Sequence, residues 1–200
     1  RYMRHLDHVR DIIGLAPGIA DFAALTLLIT PKGNYFLADT QVKPEPTAEE
    51  IASMAVLAAA HVRRFGLEPK IALISHSDFG SHNTDSARKM RRALSLVTAA
   101  EPGLEIDGEM HADTALHQAY RERVFPHSRL GGEANIFIMP TLDAANIADQ
   151  MIRAIADALP VGPILIGAAR PAHILTPSVT ARGVVNMTAV AVVEAQDAAS

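Results

Sequence analysis

Three stretches of this sequence gather side chains able to hold or polarise a ligand. The first, Ser75-His76-Ser77-Asp78-Phe79-Gly80-Ser81-His82-Asn83, sets hydroxyls and imidazoles around one glycine. Gly80 would let backbone N–H groups approach a bound group, and a helix starting just beyond would offer its N-terminus to an anion. The plainer alternative is a strand-to-helix turn whose Ser and Asn residues do no more than cap that helix. The second, Pro140-Thr141-Leu142-Asp143-Ala144-Ala145-Asn146, would place the Asn146 amide in the first turn of a helix facing the same crevice; here the plainer reading is that Asp143 is an N-cap. The third, residues 168–182, holds Arg170, Pro171, His173, Pro177 and Arg182 among the hydroxyls of Thr176, Ser178 and Thr180. It is long for a connector, and long connectors are often functional.

Other chemistries find less support. A Ser/His/Asp triad within the first stretch lacks the G-x-S-x-G elbow that would expose a nucleophile. The nine histidines show no H-E-x-x-H or comparable ligand spacing and are expected to be scattered over the surface. Asp107, Glu109 and Asp113 read as a solvated loop edge rather than a carboxylate site. Neither a G-x-G-x-x-G turn nor a Walker loop is present, so nothing here binds a nicotinamide cofactor or nucleotide triphosphate through those motifs. With Cys 0, disulfides, thiolate metal sites and thiol nucleophiles are all removed, which suits a reducing cytoplasm. A formal charge of -4, without a basic block, gives no footprint for nucleic acid. No apolar run reaches the roughly 18 residues needed to span a bilayer, so no membrane partner is expected.

The elements that must position these stretches alternate. Met3, Leu6, Val9, Ile12 and Ile13 recur at helical spacing. Apolar runs at 22–30 and 35–39 around Pro31-Lys32-Gly33-Asn34 predict a hairpin. Thr47 and Glu50 form a capping box ahead of an alanine-rich helix over 48–65, with Gly66 as its stop. Strands are predicted near 70–75, 104–107, 135–139 and 163–167, and helices near 85–99 and 114–121. A further helix carries Ile147, Met151, Ile155 and Leu159 on one face. The fold class is therefore α/β, a mostly parallel sheet flanked by helices. Ligands of such sheets bind beyond the carboxyl ends of the strands, so all three stretches are expected to converge on one crevice. Residues 184–195 are apolar almost all round, which for a helix predicts burial on every side and for a valine-rich segment leaves a strand as the alternative.

At these same places the sequence resembles the phosphate acetyl/butyryl transferase family, the phosphotransacetylases. The matching residues are Ala38-Asp39 with Pro46-Thr47-Ala48-Glu49-Glu50, Ser75-x-Ser77-x-x-Gly80-Ser81, Asp107-Gly108-Glu109-Met110 with Asp113-x-Ala115-Leu116, Asn135 with Pro140 and Asn146-Ile147, and Gly162-Pro163-Ile164-Leu165-x-Gly167. The run from Ile174 to Gly183, followed by Asn186-Met187-Thr188-Ala189, is similar to the phosphotransacetylase-like C-terminal domain of large bacterial NADP-dependent malic enzymes. The resemblance implies a two-lobed fold, with residues 1–167 forming a second lobe and 168–200 returning to a first lobe that precedes this chain.

It also implies a ligand. An acetyl-CoA or acyl phosphate cleft would be built from Ser75, Ser77, Gly80, Ser81, Thr141, Asn146, Thr176, Pro177, Ser178 and Arg182. Active members carry a Ser-Arg-Gly-Cys loop and a nearby Asp, the arginine for acyl phosphate and the aspartate as base for the CoA thiol. Here Thr176, Pro177, Ser178, Val179 and Gly183 stand at those five positions, so cation and base are both missing, although Arg182 lies beside Gly183. The resemblance therefore implies a transferase-inactive acetyl-CoA-binding regulatory domain, with no catalytic residue and no cofactor of its own. It would control a cytoplasmic, oligomeric malic enzyme whose NADP and Mg or Mn belong to an N-terminal malic enzyme domain; the alternative is an active phosphate acetyltransferase. Replacing Ser77 or Asn146 by Ala is expected to weaken acetyl-CoA binding by roughly 1 kcal/mol and spare stability.

Overall fold

In the computed structural model, which describes residues 2–198, the chain alternates as α1 (Tyr2–Ile12), β1 (Ala23–Thr30), β2 (Gly33–Ala38), α2 (Ala48–Arg64), β3 (Ile71–Ile74), α3 (Asp85–Ala100), β4 (Ile106–Met110), α4 (Ala112–Leu116), α5 (Gln118–Val124), β5 (Ile136–Ile138), α6 (Leu142–Ala156), β6 (Leu159–Ile166) and α7 (Ala181–Asp197). The six strands form one sheet in the order β4-β3-β5-β2-β1-β6. β3 pairs in parallel with β4 and β5, and β5 with β2. β1 runs antiparallel to both β2 and β6, so it alone opposes the other five. All five of those strands therefore point their carboxyl ends at one edge.

Sequence explains most of the elements. Thr47 accepts from the Glu50 N–H at 3.2 Å while the Glu50 carboxylate accepts from the Thr47 N–H at 2.8 Å, so the capping box starts α2. Gly66, at φ +73, ends it in the left-handed region that favours glycine. Small residues, Ala48, Ala52, Ala55, Ala58 and Ala59, are buried along α2 and let it lie close to the sheet. α2, α3 and Met187 of α7 cover one face through a core that includes Leu25, Phe36, Ile51, Ile71 and Ile164. α4 and α6 cover the other through Leu28, Leu37, Phe137, Ala115 and Ala145. Leu6 of α1 closes the β1–β6 end with Phe22, Leu165 and Ile174.

Several expectations are corrected. The helix foreseen over 114–121 is two, α4 and α5, broken at His117, whose φ -109 and ψ 82 are not helical. What joins them is Arg121, fully buried, whose guanidinium donates to the carbonyls of Thr114 (2.9 Å), Ala115 (3.1 Å), Leu130 (3.1 Å) and Gly132. The strand foreseen at 104–107 lies at Ile106–Met110, so Asp107 and Glu109 are buried strand residues and not a solvated edge. On α6 the Ile147, Met151 and Ile155 stripe faces outward, because Ala145, with Ala144, Ala148 and Ile152, makes the contact with the sheet. Leu159 belongs to β6, an edge strand, where Pro160 and Pro163 are tolerated. Residues 184–195 are helical, yet on α7 only Met187 and Glu194 are buried, whereas Val184, Val185, Val192 and Val193 are exposed.

Candidate functional site

The stretch after β3 is held from below by β4. Glu109 is fully buried, and its Oε1 accepts from the Ser77 hydroxyl (2.6 Å), the Gly80 N–H (3.0 Å) and Arg91 Nη1 (2.7 Å). Arg91 also donates to Asn83 Oδ1 at 2.9 Å, so one carboxylate gathers the loop and the next helix. Asp78 accepts from the His111 N–H at 2.7 Å and from the Thr114 hydroxyl at 3.0 Å, tying the same loop to α4. The helix cap expected from a Ser or Asn comes from Thr84, which accepts from the Ala87 N–H at 3.3 Å. Gly80, at φ +88, has open space where a Cβ would stand, so it serves the turn and the N–H that Glu109 receives.

Ser75, Ser77, Gly80 and Ser81 thus sit in one loop but do different things. Ser75 is buried and accepts from the Ser77 N–H at 3.1 Å. Ser77 is wholly buried, its hydroxyl spent on Glu109 and on the His82 N–H at 3.0 Å. Ser81 is exposed, accepts from the Asp78 N–H at 2.9 Å and stands 3.1 Å from His82 Nδ1. For stability the expectation at Ser77 is therefore revised. Ser77→Ala is expected to lose about 1–2 kcal/mol of stability, since it leaves a buried carboxylate short of a donor; thermal unfolding reads this, and an unchanged midpoint would make that bond dispensable.

The second stretch, after β5, lies beside the first because β5 neighbours β3, and Lys89 of α3 bridges to the Pro140 carbonyl at 2.8 Å. Thr141, not Asp143, caps α6 by accepting from the Ala144 N–H at 3.2 Å. The Asn146 amide donates to the carbonyls of Thr40 (3.2 Å) and Leu142 (3.0 Å), fastening α6 to the end of β2. Both side chains have structural work that sequence spacing could not reveal.

The third stretch does not join the other two within this chain. β6 is four strand positions from β3, roughly 19 Å at the usual interstrand spacing. Beyond β6 the chain turns back along the outer edge, where His173 Nδ1 accepts from the Leu165 N–H at 3.2 Å. Residues 176–182 then form a small turn of their own. The Val179 N–H donates to the Thr176 carbonyl at 3.0 Å, the Thr176 and Ser178 hydroxyls are 3.1 Å apart, and Thr180 caps α7 by accepting from the Gly183 N–H at 3.1 Å. Pro177, Ser178 and Arg182 are exposed. A Cβ on Gly183 would stand 2.8 Å from Val179 Cγ2, so the valine fills the room a larger residue would need.

Sequence reading missed a buried cluster near that segment. His61 of α2 and His173 of the third stretch face Glu194 of α7, with Nδ1 of His61 and Nε2 of His173 each 3.1 Å from a carboxylate oxygen. These histidines are buried and not at the surface as spacing suggested. Two cavities of about 170 Å³ flank the cluster, one apolar along Phe65, Val190 and Val193, the other reaching Arg170 and Pro171. The available signal was a glutamate inside an otherwise apolar helix, which would need partners if buried.

An open α/β sheet in this strand order carries the first two loops side by side beyond the carboxyl ends of β3 and β5. The family model for phosphate acetyl/butaryl transferase matches residues 1–192, and the chain belongs to that family. The chain superposes on a phosphotransacetylase from Streptococcus pyogenes with a TM-score of 0.91 at 29% identity, covering 100% of this chain and 60% of that one. More particularly, it is 56% identical over 194 residues to the NAD-dependent malic enzyme of Rhizobium meliloti, covering 97% of this chain and 25% of that protein. It is 48% identical over 196 residues to the NADP-dependent malic enzyme of Escherichia coli, covering 98% and 26%. The chain is thus similar to a phosphotransacetylase-like part of malic enzymes and spans about a quarter of their length. One of these relatives is named for NAD and the other for NADP.

Proposed function

We propose that this chain is an acetyl-CoA-binding regulatory lobe of a malic enzyme that has lost transferase chemistry. The observation that carries the reading is the turn at 176–183. Where the family resemblance puts the phosphate-binding arginine there is Pro177, with neither charge nor N–H, and where it puts the base there is Gly183, lying under Val179. The exposed Ser81 hydroxyl after β3 and, separately, the Thr176–Ser178 hydroxyl pair beyond β6 are neutral groups, suited to holding a ligand without activating it.

Oxidation of malate, with a nicotinamide cofactor and Mg or Mn, would belong to the rest of such a protein. Among the described residues no group of three or more His, Cys, Asp or Glu side chains can hold a metal ion. The lobe would work in the cytoplasm, within a homo-oligomer joined to a malic enzyme domain, its exposed α6 and α7 apolar faces covered in the assembly. No described helix is long and apolar enough to cross a membrane. A ligand bound here regulates only as far as its affinity differs between assembly states.

Arg182 supports a second reading. It is exposed in the first turn of α7, one residue from Gly183, and a cation there could serve an active phosphate acetyltransferase. Titration calorimetry of the full-length protein with acetyl-CoA, paired with malate oxidation rates, tests the first reading. Saturable binding with a changed rate is expected; absence of binding overturns it and leaves a purely structural lobe.

A further inference from the structure

We propose that His61, Glu194 and His173 form an acid-released clasp that holds the C-terminal helix α7 on the sheet. Three segments distant in sequence meet there: α2, the return segment after β6, and α7. Their side chains are almost wholly removed from water, at 3%, 8% and 4% exposure for His61, Glu194 and His173. Within this chain little else is packed on the helix. Met187 is its one buried apolar residue, with Val190 packed partly against the core.

The site is built for a neutral His61 imidazole. The Leu165 N–H donates to His173 Nδ1, which turns Nε2 of that ring toward Glu194, 3.1 Å away. Neither nitrogen of His61 makes a well-formed hydrogen bond, and both are buried. The charged groups around His61 are few. Arg64, on its own helix, lies 3.8 Å from Glu194 Oε1 and 3.5 Å from Asp197 of α7. Arg170, from the return segment, borders the adjoining cavity. Glu194 is the one buried anion of this cluster, and Arg64, shared with Asp197, already stands near it. A proton added to His61 therefore puts a second cation beside one carboxylate, in a site nearly closed to water.

Burial pushes the His61 imidazole down from about 6.5 to about 4, against the upward pull of Glu194. The sign follows. With α7 docked, His61 refuses a proton that it accepts once α7 lifts and water enters. Docking is complete above pH 6.5 and weakens as pH falls from there toward 4. Between pH 7.5 and 5 this linkage raises the opening of α7 roughly thirtyfold.

Hydrogen exchange read by mass spectrometry on the full-length protein, corrected for the intrinsic pH dependence of amide exchange, tests the clasp. Peptides within 184–195 should open roughly thirtyfold more at pH 5 than at 7.5, while those of α3 and β3 hold. In His61→Gln the α7 peptides should become insensitive to pH across that range. In Glu194→Gln they should exchange at pH 7.5 nearly as fast as the unmodified protein does at pH 5. Unchanged α7 exchange at pH 5, a parallel rise in α3 and β3, or full pH sensitivity in His61→Gln would each overturn the proposal, as would a Glu194→Gln protein with unaltered α7 protection.

Discussion

Arg121→Met is expected to lose about 3–5 kcal/mol of stability, the cost of breaking a buried charged hydrogen-bond set from one side. Methionine keeps most of the aliphatic volume, so packing changes little. What is lost is a planar donor that spans four carbonyls from two places, Thr114 and Ala115 at the end of α4, Leu130 and Gly132 in the segment leading to β5. Those oxygens lie where water does not replace the guanidinium, since Arg121 itself is fully buried. In a chain of this size the loss corresponds to a fall in unfolding midpoint of roughly 10 °C. Arg121→Lys should recover little, because one ammonium cannot meet four acceptors arranged around a plane. A methionine variant within 1 kcal/mol of the parent would show that the two segments hold their places without the bridge.

Arg121 also shows why sequence reading stopped where it did. Its type and place in a short polar helix suggest a solvent-facing residue, and only the strand order brings residues 130–132 under its guanidinium. The same holds for Asp107 and Glu109. Read alone, Asp-Gly-Glu between apolar neighbours resembles a turn, yet Gly108 is a strand residue whose missing side chain lets β3 approach, for a Cβ there would stand 2.8 Å from the Leu73 carbonyl oxygen. Asp107 then accepts from the Ser128 hydroxyl at 2.7 Å and the Arg129 N–H at 2.6 Å, donors some twenty residues away. Local signals were strong where local physics decides, as at the Thr47 capping box, the hairpin of β1 and β2, and the glycine that stops α2. The lateral order of strands obeys no local signal. The first two candidate stretches proved neighbours because β3 and β5 pair, and the third fell at the far end because β6 joins through β1. The outward stripe of α6 escaped for a related reason: periodicity locates an apolar face without saying whether this chain covers it.

The full-length protein is expected to show no transfer of acetyl groups between acetyl phosphate and CoA above background. A positioned base contributes typically 10²–10⁴ in rate, and a cation placed at developing phosphate charge is worth about 10²–10³. Losing both leaves turnover at least roughly 10⁴-fold below that of an active transferase. The structure adds a steric condition to restoring it. Gly183→Asp by itself drives its Cβ to 2.8 Å from Val179 Cγ2, so the single variant should lose stability and gain no activity. Val179→Cys with Gly183→Asp removes a methyl group from that contact, and with Pro177→Arg it returns the residues that the family resemblance places there. The triple variant is expected to regain a trace of turnover, limited by Ser178, whose hydroxyl lies 3.1 Å from that of Thr176 and helps shape the turn. The measurement is formation of acetyl-CoA from acetyl phosphate and CoA, scaled to enzyme concentration. Robust turnover by the unmodified protein would reverse the regulatory reading, and loss of that turnover in Arg182→Ala would then identify Arg182 as the substituting cation.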